Sequence, residues 1–163
     1  MKRSLITVGV LFVLCSLVAL AQTPAPNIGT WKLNLDQSKY SPATLAPKSG
    51  TTTFEAAQDG VKTVTDGVDA QGRKTHTEYT AKFDGKDYTW KGTIDGRPNP
   101  DQDAVAWKKT DGYTYEITNK LKGQVLTTQR MVISRDGKSR TNTITGKNAQ
   151  GQTVNNTTIF DRQ

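Results

Sequence analysis

The sequence predicts an all-β chain: an antiparallel up-and-down meander of about 8–10 short strands curling into a barrel. Three observations carry that expectation. Short runs alternate apolar with polar residues, the period of a half-buried strand, and no useful length repeats with the period of a helix. Six Asp-Gly pairs, at 59/60, 66/67, 84/85, 95/96, 111/112 and 136/137, punctuate those runs, and glycine accepts the positive φ that tight hairpin turns require. Most intervening segments are two to four residues long, which joins neighbours as antiparallel hairpins.

In chain order, residues 1–21 read as a cleaved signal peptide. Lys2 and Arg3 precede an apolar run from Leu5 to Leu20, and Ala19-Leu20-Ala21 supplies a small-x-small cleavage site before Gln22. The run is about 16 residues, short of the roughly 20 that a spanning helix needs. Cys15 follows Leu14 rather than a small residue, which disfavours lipid attachment. Residues 22–28, "QTPAPNI", are expected to be an extended leader because Pro24 and Pro26 oppose helix and strand alike. The domain proper is then 29–163, with strands expected at 30–35, 51–57, 61–69, 73–83, 87–93, 103–109, 113–119, 124–134, 138–147 and 152–160. The longer connections, 36–50 and 95–102, are rich in proline and are expected to be loops.

One phrase occurs twice. "GVDAQG" begins at Gly67 and "GKNAQG" at Gly146. Asp69 or Asn148 at the first position of a type I turn, with glycine at the fourth, fits that geometry. Gly67 and Gly146, inside strands, suggest bulges or sharp bends. Each copy therefore reads as a bent strand, a turn and a return strand.

Processing would leave 142 residues (163 minus 21) without a cysteine, so the core alone must hold a secreted fold together. That core is lean: Leu, Ile, Val and Phe number 21 after residue 21, a share at which disorder is the usual suspicion. Eleven aromatics spread from Trp31 to Phe160, together with abundant threonine, argue for pleated sheet instead. Net charge falls from +7 to +5 when Lys2 and Arg3 leave. That balance is modest and well mixed, favouring solubility and no nucleic-acid partner.

Alternation assigns faces. Thr75, Thr77, Tyr79, Ala81 and Phe83 oppose Lys74, His76, Glu78, Thr80 and Lys82. Tyr88, Trp90, Gly92 and Ile94, then Val105 and Trp107, then Tyr113, Tyr115 and Ile117, continue the inner set. A charged outer face argues against a membrane barrel, so no integral membrane protein is expected after processing. A wall of rings and hydroxyls suits either a lean core or a partly wet cavity.

The stretch "GTWKLNLDQSKY", Gly29 to Tyr40, resembles the opening strand of the lipocalin and fatty-acid-binding-protein (calycin) superfamily. The chain also looks like small secreted bacterial lipocalin-like proteins. The resemblance implies that Gly29 and Trp31 close a barrel floor, with Arg162, after the last strand, stacked on the indole. Departures limit it. Residues 36–50 are too short and proline-broken for a helix-turn-helix lid, and the terminal "TVNNTTIF" lacks a carboxylate-binding Arg-x-Tyr. A fatty-acid ligand does not transfer on that basis.

Chemistry-bearing motifs are sparse. His76 is the sole histidine and is expected to be solvated, and common zinc ligand sets are not available after residue 21. Asp101 and Asp103 match no calcium-loop spacing. No phosphate loop, nucleophile elbow or Ser/His/Asp set is evident. The expectation is thus no enzyme, no cofactor and no metal. The chain reads instead as a secreted or periplasmic monomer binding a small apolar or amphipathic ligand inside its barrel. Tyr79, Trp90, Trp107 and Tyr115 would supply contact area and Arg130 an anion partner. The alternative is a filled barrel acting through its lysine-rich surface as an envelope interaction module or inhibitor.

Overall fold

The alternating runs form one antiparallel ladder in the computed structural model, which describes residues 25–163. The expected signal sequence and the first residues of the leader lie outside the described residues. Twelve strands follow in order: β1 (Gly29–Lys39), β2 (Ser49–Ala57), β3 (Gly60–Val68), β4 (Lys74–Lys82), β5 (Asp84–Thr89), β6 (Lys91–Ile94), β7 (Arg97–Pro98), β8 (Ala104–Lys109), β9 (Thr114–Leu121), β10 (Gln124–Ile133), β11 (Ser139–Lys147) and β12 (Thr153–Arg162). A single 3₁₀ turn, Ala43–Leu45, interrupts the first long connection. The chain is all-β and its sheet curls into a half-barrel.

The sheet order is β5-β8-β9-β10-β11-β12-β1-β2-β3-β4-β6-β7. Its two flanks belong to one stretch of chain. β5 pairs with β8, whereas β6 pairs with β4. The switch falls on Trp90, whose amide donates to the Asp103 carbonyl at 2.9 Å. Residues 87–93 therefore divide between two strands instead of forming one, and β7 adds a short rung within the expected loop 95–102. Those two details account for twelve strands where the sequence predicts ten, and the ladder stays open at a seam because its end strands, β5 and β7, do not pair with each other.

Antiparallel order sends every turn to one of two ends. Gly29, the β2–β3 turn and the β10–β11 turn lie at the floor; both copies of the repeated phrase lie at the mouth. The copies fold alike. In the first, Gly72 N donates to Asp69 O at 3.1 Å, and Asp69 Oδ1 accepts from the amides of Gln71 and Arg73 at 3.0 and 2.9 Å. In the second, Gly151 N donates to Asn148 O at 2.9 Å, and Asn148 Oδ1 accepts from the amides of Gln150 and Gln152 at 3.1 and 2.9 Å. Gly72 and Gly151 leave the turns at φ +85° and +78°.

Gly67 and Gly146 are not bulged, because the registers of β3 and β11 run through them unbroken. Both meet neighbouring backbone closely, and Gly146 in addition bends at φ +135°, a conformation that favours glycine. A Cβ on Gly67 would stand 2.7 Å from the Ser49 carbonyl oxygen, and one on Gly146 would stand 2.2 Å from that of Leu126. Tight coiling at the mouth presses the neighbouring backbone against each glycine.

Asp69 does one thing its counterpart cannot: it also holds the Arg73 guanidinium, at 2.7 Å. Desolvation pushes its carboxyl up, but the Arg73 amide and side chain and the Gln71 amide together outweigh that and hold it below the ordinary value. Asp69→Asn should preserve the turn and cost under about 1 kcal/mol, the worth of an exposed pair. Asp69→Ala, which strips the acceptor from two amides, should cost about 1–2 kcal/mol. A depressed folded pKa means stability present above the unfolded aspartate value and lost as pH falls through the folded one. The gap between wild type and Asp69→Asn in urea melts should therefore narrow as pH drops below about 4.

Candidate functional site

The lower half of the half-barrel is filled. Trp31, Val61, Ala81, Val105, Trp107, Tyr115, Met131 and Ile133 are all at most 1% exposed, and Phe54 and Phe83 complete an aromatic group around Trp107. Phe54 meets Trp107 edge-on at 5.7 Å between centroids, and Tyr115 meets it at 5.9 Å. Such edge contacts place the positive rim of one ring against the negative face of another.

The floor is sealed by the leader and the chain end. Residues 25–28 turn back, with Ile28 N donating to Ala25 O at 2.9 Å, instead of running extended. Asn27 thereby becomes a fully buried plug. Its carbonyl accepts from Trp31 Nε1 at 2.9 Å and its Oδ1 from the Tyr115 hydroxyl at 2.7 Å. Burial, with a lesser push from Asp111, raises Tyr115 to about 12, so it remains a donor throughout the working pH range. Tyr115→Phe should cost about 1–3 kcal/mol in urea denaturation, because the Asn27 amide, already unpartnered at Nδ2, would keep no side-chain bond.

Beside the plug, the Arg162 guanidinium lies 4.3 Å from the Trp31 ring centroid. It donates to the carbonyls of Pro26, Ile28 and Gly137. Gly29 leaves room for it: at φ +132° a Cβ there would stand 2.5 Å from Arg162 Nη1. These three residues form the floor and lie outside the space above it.

That space is a cavity of about 340 Å³ in the upper half, running from Phe54, Trp107 and Arg140 to a rim that includes Tyr40, Pro47 and Ile144. Tyr40 and Pro47 bring the long first connection to its edge. Tyr79 and Trp107 line the cavity and are joined across the seam, Trp107 Nε1 donating to the Tyr79 hydroxyl at 3.2 Å. Burial raises the Tyr79 pKa, more than the nearby Thr63 hydroxyl, the Trp107 indole N–H and the Arg140 charge lower it. The phenol is thus neutral and keeps its own proton to donate.

Three of the expected contact residues are placed elsewhere. Trp90 is half-buried against the core, its ring lying over Gly92, where a Cβ would meet it at 2.0 Å. Tyr115 belongs to the floor. Arg130 is exposed on the outer face of β10, in register with Glu116 and Thr143; the odd positions of β10, Gln129, Met131 and Ile133, are the ones that point inward.

The arginine inside is Arg140, 3% exposed. β11 reads Arg140, Asn142, Ile144 on one face and Thr141, Thr143, Thr145 on the other. Ile144 marks the inner parity, and that signal could have identified Arg140. Its guanidinium lies 3.9 Å from the Phe160 centroid and 4.8 Å from that of Phe54. No carboxylate pairs with it among the described residues, and Nε has no partner. Burial draws its pKa down to about 9, which still leaves it charged at neutral pH. Asn142 Oδ1 and Thr158 Oγ1, cross-strand neighbours on the same wall, are likewise unpartnered. An isolated buried ion carries a penalty of several kcal/mol, on the order given for single charges removed from water.

No known family model matches this chain. A search of curated proteins likewise finds no relative, so the geometry stands by itself.

Other titratable groups are committed locally. His76 is exposed, with Nδ1 2.8 Å from Asp66 Oδ1. Asp103 Oδ2 caps a turn by accepting from the Lys122 amide at 2.8 Å, and Asp101 is tied to Asn99 through its own amide at 2.9 Å.

Proposed function

We propose that this chain is a secreted or periplasmic lipocalin-like protein that binds a small apolar or amphipathic molecule in the upper half of its barrel and catalyses no reaction. The observation that carries the reading is the cavity itself. At about 340 Å³ it lies near the lower end of volumes that hold small ligands, and rings and aliphatic side chains share its wall with threonines, amides and one arginine. Secretion rests on the basic, then apolar, then small-residue order of residues 1–21. The calycin likeness rests on Gly29, Trp31 and Arg162 at the floor.

Of the three tryptophans only Trp107 lines the cavity, so its fluorescence should report occupancy. Titration with lipids, isoprenoids and haem-like compounds should give saturable quenching with at least one class. Trp107→Phe should lose the optical signal while calorimetry still detects binding. Absence of any saturable response from wild type, by either method, would overturn the reading.

A further inference from the structure

The wall of the cup is incomplete between β1 and β2. Their ladder runs from Gly29 opposite Phe54 to Lys32 opposite Thr51 and stops there, although β1 continues to Lys39 and β2 begins at Ser49. On the other edge of β1, the register with β12 jumps from Asn34 opposite Ile159 to Lys39 opposite Thr157. Residues 35–38 therefore carry no ladder partner on either edge, and side chains stand in for the missing rungs. The Ser38 hydroxyl donates to the Asn34 carbonyl at 2.6 Å and accepts from the Ile159 amide at 3.0 Å. Asn34 Oδ1 accepts from the Gln37 amide at 3.1 Å. A stretch held this way opens at a lower free-energy cost than a strand paired on both edges. Leu35, within it, is 39% exposed.

A groove occupies this gap, with Leu35 and Asp36 on one bank and Lys48 on the other. Leu33, Ser49 and Gly50 line both the groove and the cup, so these three residues form the partition between the two spaces. Gly50 adds no side chain to it. The rim, by contrast, is tied down. The connection that brings Tyr40 and Pro47 to its edge is fixed to β12, where Ser41 N donates to Asn156 Oδ1 at 3.0 Å and Ser41 O accepts from Asn155 N at 3.0 Å. It is fixed to β3 as well, through Lys48 N and Val68 O at 2.8 Å. We propose that small molecules enter and leave the cup sideways between β1 and β2, as Leu33 parts from Gly50 and residues 35–38 swing outward. The inference rests on the small-molecule reading above and adds the route to that site. Leu33 is its gate, and the connection over the rim stays in place during exchange.

The test closes the gate covalently. A Cβ built on Gly50 stands 3.6 Å from Leu33 Cβ, within the span of about 3.5–4.5 Å that a disulfide bridges. Leu33→Cys combined with Gly50→Cys should therefore form one on oxidation, and Cys15→Ser in the same full-length chain leaves no competing thiol. Exchange of 1-anilinonaphthalene-8-sulfonate is followed by stopped-flow fluorescence in the oxidised and reduced forms of this one variant. Oxidation should slow association and dissociation alike, by about tenfold or more, with Kd unchanged, because a barrier on the route leaves both end states as they were. Ser38→Ala, outside the cup wall, should speed both rates, since it unties residues 35–38. Equal rates in the oxidised and reduced forms would overturn the lateral route while leaving the cup a small-molecule site entered by its mouth. A change in one rate alone would mean that the disulfide alters the cup and not the passage, which overturns the route equally. Should the cysteine pair fail to fold, Ser38→Ala decides, and exchange no faster than wild type overturns the proposal. If this probe does not bind wild type, the series is run with whichever ligand class above saturates. Failure of all of them would remove the small-molecule reading and this inference together.

Discussion

Arg162→Ala is expected to destabilise the fold by about 3 kcal/mol, read as a lower urea midpoint with little change in slope. The guanidinium joins three separate pieces of chain: the leader through Pro26 and Ile28, the β10–β11 turn through Gly137, and β1 through the Trp31 ring. Hydrogen bonds to a charged donor contribute roughly 1.5–3 kcal/mol each, but three on one side chain are not additive, and this one is only part-buried. Gly29→Ala provides the cross-check. Its Cβ would press on Arg162 Nη1 at 2.5 Å, and the guanidinium is held in place by its carbonyl partners. The double variant should therefore be more stable than the sum of the single losses implies, because removing Arg162 relieves the clash and leaves only the positive-φ strain. Strict additivity would mean that the floor residues act independently.

Trp107→Ala should cost more, about 3–5 kcal/mol. The side chain is 1% exposed and contacts Phe54, Phe83 and Tyr115, so its removal leaves a void in a group of stiff rings. It also severs the Tyr79 bond that spans from β8 to β4 at the seam. Trp90→Ala is the informative contrast. That indole is half-buried and rests on Gly92, so its loss should cost under about 2 kcal/mol. Comparable losses for the two would show that the Trp90 ring stabilises the β5–β6 switch as strongly as Trp107 fills the core.

Both contrasts arise from side chains that look alike in sequence. Alternation assigns Tyr79, Trp90, Trp107 and Tyr115 to the inner face, and all four do pack inward. It does not say at what height. Inner positions at the floor fill space, and those above it line the cup; height depends on the stagger between strands, set by registers that join residues far apart, such as Tyr115 with Met131. Arg130 and Arg140 illustrate a different limit. β10 carries apolar residues at both parities, with Leu126 and Val132 alternating against Val125, Met131 and Ile133. Its facing is therefore ambiguous in sequence, and Arg130 looks as able to point inward as outward. In β11 the lone apolar residue, Ile144, leaves no such ambiguity.

Local rules determined a great deal by themselves: the all-β class, the hairpin connections, and the paired mouth turns at Asp69 and Asn148, whose geometry follows from four consecutive residues. Such features are legible because a turn or a pleat is closed by bonds between near neighbours. Only the tertiary structure decided that the leader would plug the floor with Asn27, that the strand would change partners at Trp90, and that a charge without a counter-ion would stand inside the cup. Each of these depends on contacts between segments distant in the chain, where burial and pairing are properties of the curled sheet and of no single run of residues.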